Sequence, residues 1–145
     1  MGKKSIYNNG KKGDKQMILL KDVADVIRTF GLTEDVYSGK MPDKKERSIG
    51  VYNMRPERTR KSIKNPVSYE VKAVSILVHW SKSQVETEKV AIRLQEMLEE
   101  ARDITVNEHF FIFADIYYDE PVPVDTDENG IYEYVIEGMY YFKKG

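Results

Sequence analysis

The 145-residue sequence contains no cysteine, which excludes disulfide staples, thiolate metal sites and a cysteine nucleophile. It has two histidines, His79 and His109. They form neither an H-x-H nor an H-x-x-x-H spacing, so a histidine-anchored metal site has little support and each reads as an ordinary strand residue. A carboxylate such as Asp115, beside strand aromatics, would be another donor. No serine lies in a G-x-S-x-G turn, and neither glycine-rich phosphate-binding pattern is present. No apolar run approaches the ~20 residues that span a bilayer. The longest, Ala73–Trp80, is interrupted by Ser75 and His79. The N-terminal lysines have no apolar core behind them, so no secretory signal is expected. Charge of one sign is also missing: 23 basic residues face 24 acidic ones, for a net −1, unlike the basic excess usual in nucleic-acid binders. These absences predict a soluble chain that is not an enzyme and uses no cofactor or catalytic metal.

What is present fits a globular fold. The length suits one domain with a continuous core, and 41% of residues are hydrophobic against 32% charged. Residues 1–15 carry Lys3, Lys4, Lys11, Lys12 and Lys15 among glycines and read as a flexible basic arm. Residues 16–145 read as a single domain. Leu19, Val23, Val26, Ile27 and Phe30 form an amphipathic stripe, Asp14 is a candidate cap and Gly31 a natural terminator, which predicts a helix over 16–30. Residues 31–47 read as a connection. Ser83 and Glu86 have capping-box spacing, predicting a helix over 82–102 with its stripe on Val90, Leu94, Met97 and Ala101. Strands are expected at 48–54, 67–80, 109–118 and 131–142. Asn129-Gly130 marks a turn, so the last two strands read as an antiparallel hairpin with a long acidic loop. The fold class is therefore α+β, with about four mostly antiparallel or mixed strands, two main helices and the order α-β-β-α-β-β.

The strands carry more apolar surface than two helices can readily cover. Val67, Tyr69, Val71 and Ala73 share one face of the 67–80 segment, whereas Ile76, Val78 and Trp80 fall on the other. Strand 109–118 is apolar on both faces, and Tyr132 and Tyr134 lie on the aromatic side of the last strand. Excess apolar surface of this kind marks contacts with another chain. The expected subunit-interface residues are Ile76, Val78, Trp80, Tyr132 and Tyr134, with Val85 and Ile92 on the second helix outside its main stripe. A strand bulge that turns everything into core is the competing reading.

Two charged segments remain. Arg55, Arg58, Arg60, Lys61 and Lys64 make a basic loop that suits an acidic protein surface or, less well given the balanced net charge, phosphates. Asp119, Glu120, Asp125, Asp127 and Glu128 make an acidic one, a possible mate on a neighbouring subunit. The run Asp125-x-Asp127-x-Asn129-Gly130 faintly suggests a calcium loop, but Ile136 stands where a glutamate would close it, so a solvated loop is expected.

The stretch Val36-Tyr37-Ser38-Gly39-Lys40-Met41-Pro42 followed by Ser48-Ile49-Gly50-Val51-Tyr52 resembles a pattern in phage minor structural proteins. Tyr132-Glu133-Tyr134-Val135-Ile136-Glu137-Gly138 through Phe142 resembles their closing strand, and Tyr69-Glu70-Val71 through Val78, then a helix, their middle. Over about 17–143 the chain resembles the phage minor capsid or tail terminator family, also called tail completion or head-tail joining proteins. The resemblance implies an α+β subunit of a ring, usually a hexamer, that caps the tail tube and faces the head connector. It implies a place in the virion after assembly in the host bacterial cytoplasm, DNA only as cargo passing through a channel, no membrane and no catalytic residue. Loops 33–47 and 55–66 are expected to meet tube or connector. The alternatives are another connector component, stopper or adaptor, and a small nucleic-acid binding module using the arm and the basic loop.

Overall fold

The stripe Val23, Val26 and Ile27 forms the buried face of a helix, α1 (Leu20–Arg28), in a computed structural model that describes residues 17–42, 45–55 and 69–143. The basic arm, including Asp14, lies outside the described residues. Leu19 is the N-cap and its side chain has no acceptor to offer. Asp22 in the first turn supplies it instead, accepting the Leu19 N–H at 2.8 Å, so one orphan backbone donor is satisfied. Gly31 ends the element with φ +74°, the left-handed conformation that glycine adopts freely. The second helix, α2 (Gln84–Glu100), starts at the expected cap, where Ser83 Oγ accepts from the Glu86 N–H at 3.1 Å. The box closes on that side only. The Glu86 carboxylate accepts from Ser81 Oγ at 2.6 Å and pairs with Arg47 at 3.3 Å. The fully buried face of α2 is Thr87, Ala91, Leu94, Gln95 and Leu98, so the stripe is turned from the expected one, with Val90 and Ala101 at its margin.

Among the described residues, seven strands form one mixed sheet: β1 (Val36–Ser38), β2 (Ser48–Asn53), β3 (Tyr69–His79), β4 (Ile104–Val106), β5 (His109–Ile116), β6 (Val122–Thr126) and β7 (Tyr132–Lys143). Their spatial order is β1-β2-β3-β7-β5-β4, and β6 pairs with the start of β7 where β5 does not reach. β1 and β2 are parallel and every other pair is antiparallel. The α+β class stands, but three strands beyond the expected four change the element order. β1 and β4 have three residues each, too few to show alternation. β6 contains Pro123 and Asp125 and reads as a loop; an outer strand tolerates proline because one side of its ladder is unpaired. The Asn129-Gly130 turn therefore joins β6 to β7. β5 still pairs antiparallel with β7, further along it.

The pairing of β3 with β7 runs without a shift from Tyr69 to His79, so its two faces never exchange. Val74, Ile76 and Val78 lie with Ile49, Val51, Ile136, Tyr140 and Phe142 in the core shared with both helices. This corrects the interface assignment for four residues. Ile76 and Val78 are wholly buried, and Trp80 and Tyr134 are each 6% exposed, so their side chains leave no surface for a second chain. The helices cover one sheet face, as expected, but it is this one. Val71 and Ala73 belong to the uncovered face. The change of phase sits in β5, where a bulge between Phe111 and Phe113 sends Phe111 inward against Phe142 at 5.5 Å between ring centroids and Phe113 outward.

The sheet is curled. Helix α1 touches β1 and β2 at one edge and β4 at the other. Asn107, in the β4–β5 turn, donates to Asp22 Oδ1 at 2.8 Å and to Asp25 Oδ2 at 2.7 Å. Arg28 donates to Asp25 and to the Val36 carbonyl on β1. A polar chain thus runs from one sheet edge across α1 to the other. Gly138 lets β5 approach β7 closely: a Cβ there would lie 2.5 Å from the Asp115 carbonyl oxygen and 3.0 Å from Ile116 Cα.

Two outcomes follow from this packing. Gly138→Ala should lower unfolding free energy by about 1–3 kcal/mol, as overpacking against backbone does, measured by urea denaturation. Burial opposes ionisation of Asp25, but the Asn107 hydrogen bond, Lys21 and Arg28 outweigh it and hold the carboxyl below its usual range. A carboxyl lowered in the folded state stabilises above its unfolded pKa, and that stability drains away as pH falls from about 4. Asn107→Ala should reduce stability at neutral pH and narrow the difference between neutral and acid stability.

Candidate assembly surfaces and a polar cleft

The outer face of the sheet, away from both helices, has two ends of different chemistry. At one end Tyr69, Val71, Ala73, Phe113 and Tyr141 are half-buried. Phe113 stacks on Tyr141 with centroids 4.5 Å apart and planes 8° apart, and Tyr69 meets Tyr141 edge-on at 5.7 Å. The rings come together because β3, β7 and β5 are adjacent and the bulge turns Phe113 outward. Stacked, water-facing aromatics on an open sheet face are the kind of surface that partner chains bury.

The other end is polar. His79 and Glu133 are direct cross-strand partners, and Asp127 follows β6 in the turn to β7. His79 Nδ1 lies 2.7 Å from the Lys45 carbonyl oxygen, an acceptor, so Nδ1–H donates to it. Nε2 then faces Asp127 Oδ2 at 2.8 Å and Glu133 Oε2 at 3.9 Å. The other Asp127 oxygen accepts from the backbone N–H groups of Asn129 and Ile131 at 2.8 and 2.9 Å. Burial works against the charge on Asp127, yet the His79 contact and those two N–H groups outweigh it and lower its pKa. Glu133 goes the other way: burial raises it, and the Asp127 charge adds to the rise against the pull of His79. The cluster opens on a cleft of about 420 Å³ that Met41, Pro42, Tyr52 and Leu77 also line. Met41 lies across Gly50, where a Cβ would come within 2.6 Å of its sulfur.

Of the other residues expected at interfaces, Val85 is 58% and Ile92 38% exposed on the side of α2 turned from the sheet. Tyr132 is half-buried at the start of β7, and Arg55 is exposed after β2. Arg58, Arg60, Lys61 and Lys64 lie outside the described residues. Asp119, Glu120, Asp125 and Glu128 are exposed, whereas Asp127 is taken up by the cleft. Asp115 is exposed and apart from the cluster, and His109 lies 3.8 Å from Asp22 and meets the Phe142 ring edge-on.

The cleft was not legible as a site. Its three ionisable groups come from separate segments, and only the β3–β7 register and the 127–131 turn bring them together. The aromatic patch was legible as excess apolar strand surface, but its face was misassigned.

Residues 19–138 match the model of one protein family, described as Bacteriophage tail terminator protein. No curated protein matches the chain.

Proposed function

The chain belongs to the bacteriophage tail terminator family, and from that membership we propose that it is the subunit of a closed ring that caps the tail tube and presents a docking surface for the head. Six subunits is the number that the sequence resemblance implies. The partners are other copies of the chain, the tube protein and the head connector, with DNA passing through the channel as cargo. The role is assembly and not catalysis, with the finished ring in the virion and its building in the host cytoplasm. No helix among the described residues is long and apolar enough to cross a membrane.

The observation that carries this reading is the presence of two unlike open surfaces on opposite sides of the sheet layer. One is the aromatic patch Tyr69, Phe113 and Tyr141 on the outer face; the other is the Val85 and Ile92 side of α2. A ring needs a head-to-tail contact between two different patches, repeated until it closes. We place the α2 side of one subunit against the outer sheet face of the next, with Tyr132 beside the contact. The basic residues Arg55, Arg58, Arg60, Lys61 and Lys64 then serve contacts with tube or connector, where complementary charge speeds association and sets register.

Val85→Asp with Ile92→Asp should leave the monomer folded by circular dichroism, because both side chains are exposed. It should weaken the subunit contact at least about tenfold, the change that ~1.4 kcal/mol produces, abolish rings in electron micrographs and give overlong tails. Rings and normal tail length from that variant would remove α2 from the contact. Ile76→Ala should act differently: a core cavity costs about 2–5 kcal/mol of stability, and the fraction that folds should assemble as the parent does. Neutralising Arg58, Arg60 and Lys61 together should leave rings intact and reduce head–tail joining.

A further inference from the structure

We propose that His79, Asp127 and Glu133 form a binding site for a single divalent transition-metal ion of the zinc class. The three donor atoms lie within 4.8 Å of one another. All three side chains are largely sheltered, with 5%, 20% and 18% of their surfaces exposed. Imidazole nitrogen with two carboxylate oxygens is a donor set that zinc accepts, whereas magnesium and calcium prefer oxygen alone.

The orientation of the ring is that of a ligand. A metal-binding histidine commonly donates its other N–H to a backbone carbonyl, which fixes the tautomer and aims the lone pair. His79 Nδ1 does this to the Lys45 carbonyl at 2.7 Å, leaving Nε2 directed at the two carboxylates, where the ion would take the place of the proton in the His79–Asp127 contact. A tetrahedral ion with bonds of about 2.0–2.2 Å holds its donors about 3.4 Å apart. The His79–Asp127 distance of 2.8 Å would open by about half an ångström and the His79–Glu133 distance of 3.9 Å would close by a similar amount, movements within side-chain rotation. The fourth position faces the cleft beside Met41 and Pro42, so solvent or an incoming donor could complete the shell. The ion would neutralise two crowded carboxylates and tie the end of β3 to the 127–131 turn. Through the Lys45 carbonyl it would also steady the segment leading into β2. The proposal rests on the cleft alone and is independent of the ring reading.

The test uses the full chain, freed of metal by chelation, and zinc chloride as the probe. Titration calorimetry should give one site per chain, and the melting temperature should rise with added zinc. X-ray absorption should show one imidazole nitrogen among oxygen donors. Glu133→Gln, which keeps the shape of the side chain, should weaken binding about tenfold or more and lose the thermal shift, and His79→Gln should do the same. Magnesium chloride at equal concentration should produce a smaller shift. Absence of zinc binding by the folded parent would overturn the proposal, as would equal affinity in Glu133→Gln. Stabilisation by magnesium and not zinc would overturn the metal class. If His79→Gln fails to fold, Glu133→Gln and the absorption spectrum of the parent still decide.

Discussion

The structure depends on the bridging of a curled sheet by one short helix. An open sheet with helices on one face could lie nearly flat, with its two edges far apart. Here α1 touches β1 and β2 at one edge and β4 at the other, and the groups at the joint are polar and specific. Asp22 is buried, receives the Leu19 N–H and the Asn107 amide, and so serves as both helix cap and edge clasp. Asp25 and Arg28 continue the chain of contacts to the Val36 carbonyl. Once the curl is fixed, α2 fills the concave side, and Leu94 and Leu98 join the core with Ile76, Ile136 and Phe111. Among the described residues, no helix covers the outer face.

Much of this was legible. Apolar periodicity located both helices and the four longer strands, because each is long enough for its pattern to repeat. Ser83, Gly31 and Asn129-Gly130 marked boundaries through chemistry that acts locally. Three-residue strands cannot display a period, so β1 and β4 were hidden. The face of β3 was misread for a related reason. Its first half alternates cleanly on the side of Tyr69 and Val71, and that local pattern suggested a core face; the true face is set by which side the helices occupy, which is a tertiary fact. The bulge in β5 was likewise invisible, since two-sided apolar strands fit either phase.

The same distinction separates the two candidate surfaces. The aromatic patch announces itself in composition, because ring-rich strands exceed what two helices can bury. The polar cleft does not, because its members are ordinary until register brings His79 opposite Glu133 and the turn swings Asp127 beside them. Family membership and the open faces point the same way, toward a protein whose surface is built to be covered. The cleft occupies the same outer face as the patch and gives that face a polar end, so a neighbouring chain would meet a defined direction on it.

The three-residue lengths of β1 and β4, and the build of β6, bear on how copies avoid sticking wrongly. A strand at the side of a sheet is a template for another chain's backbone, and crowded identical copies would zip together along it. β1 and β4 offer that template only briefly. β6 is longer and fully exposed, but Pro123 has no N–H to give and Asp125, with φ +116°, kinks the backbone beside it. Fibre-like growth by strand addition is thereby discouraged. In the proposed ring, contact between copies is left to side chains on the faces, where geometry can dictate how many copies join and when joining stops.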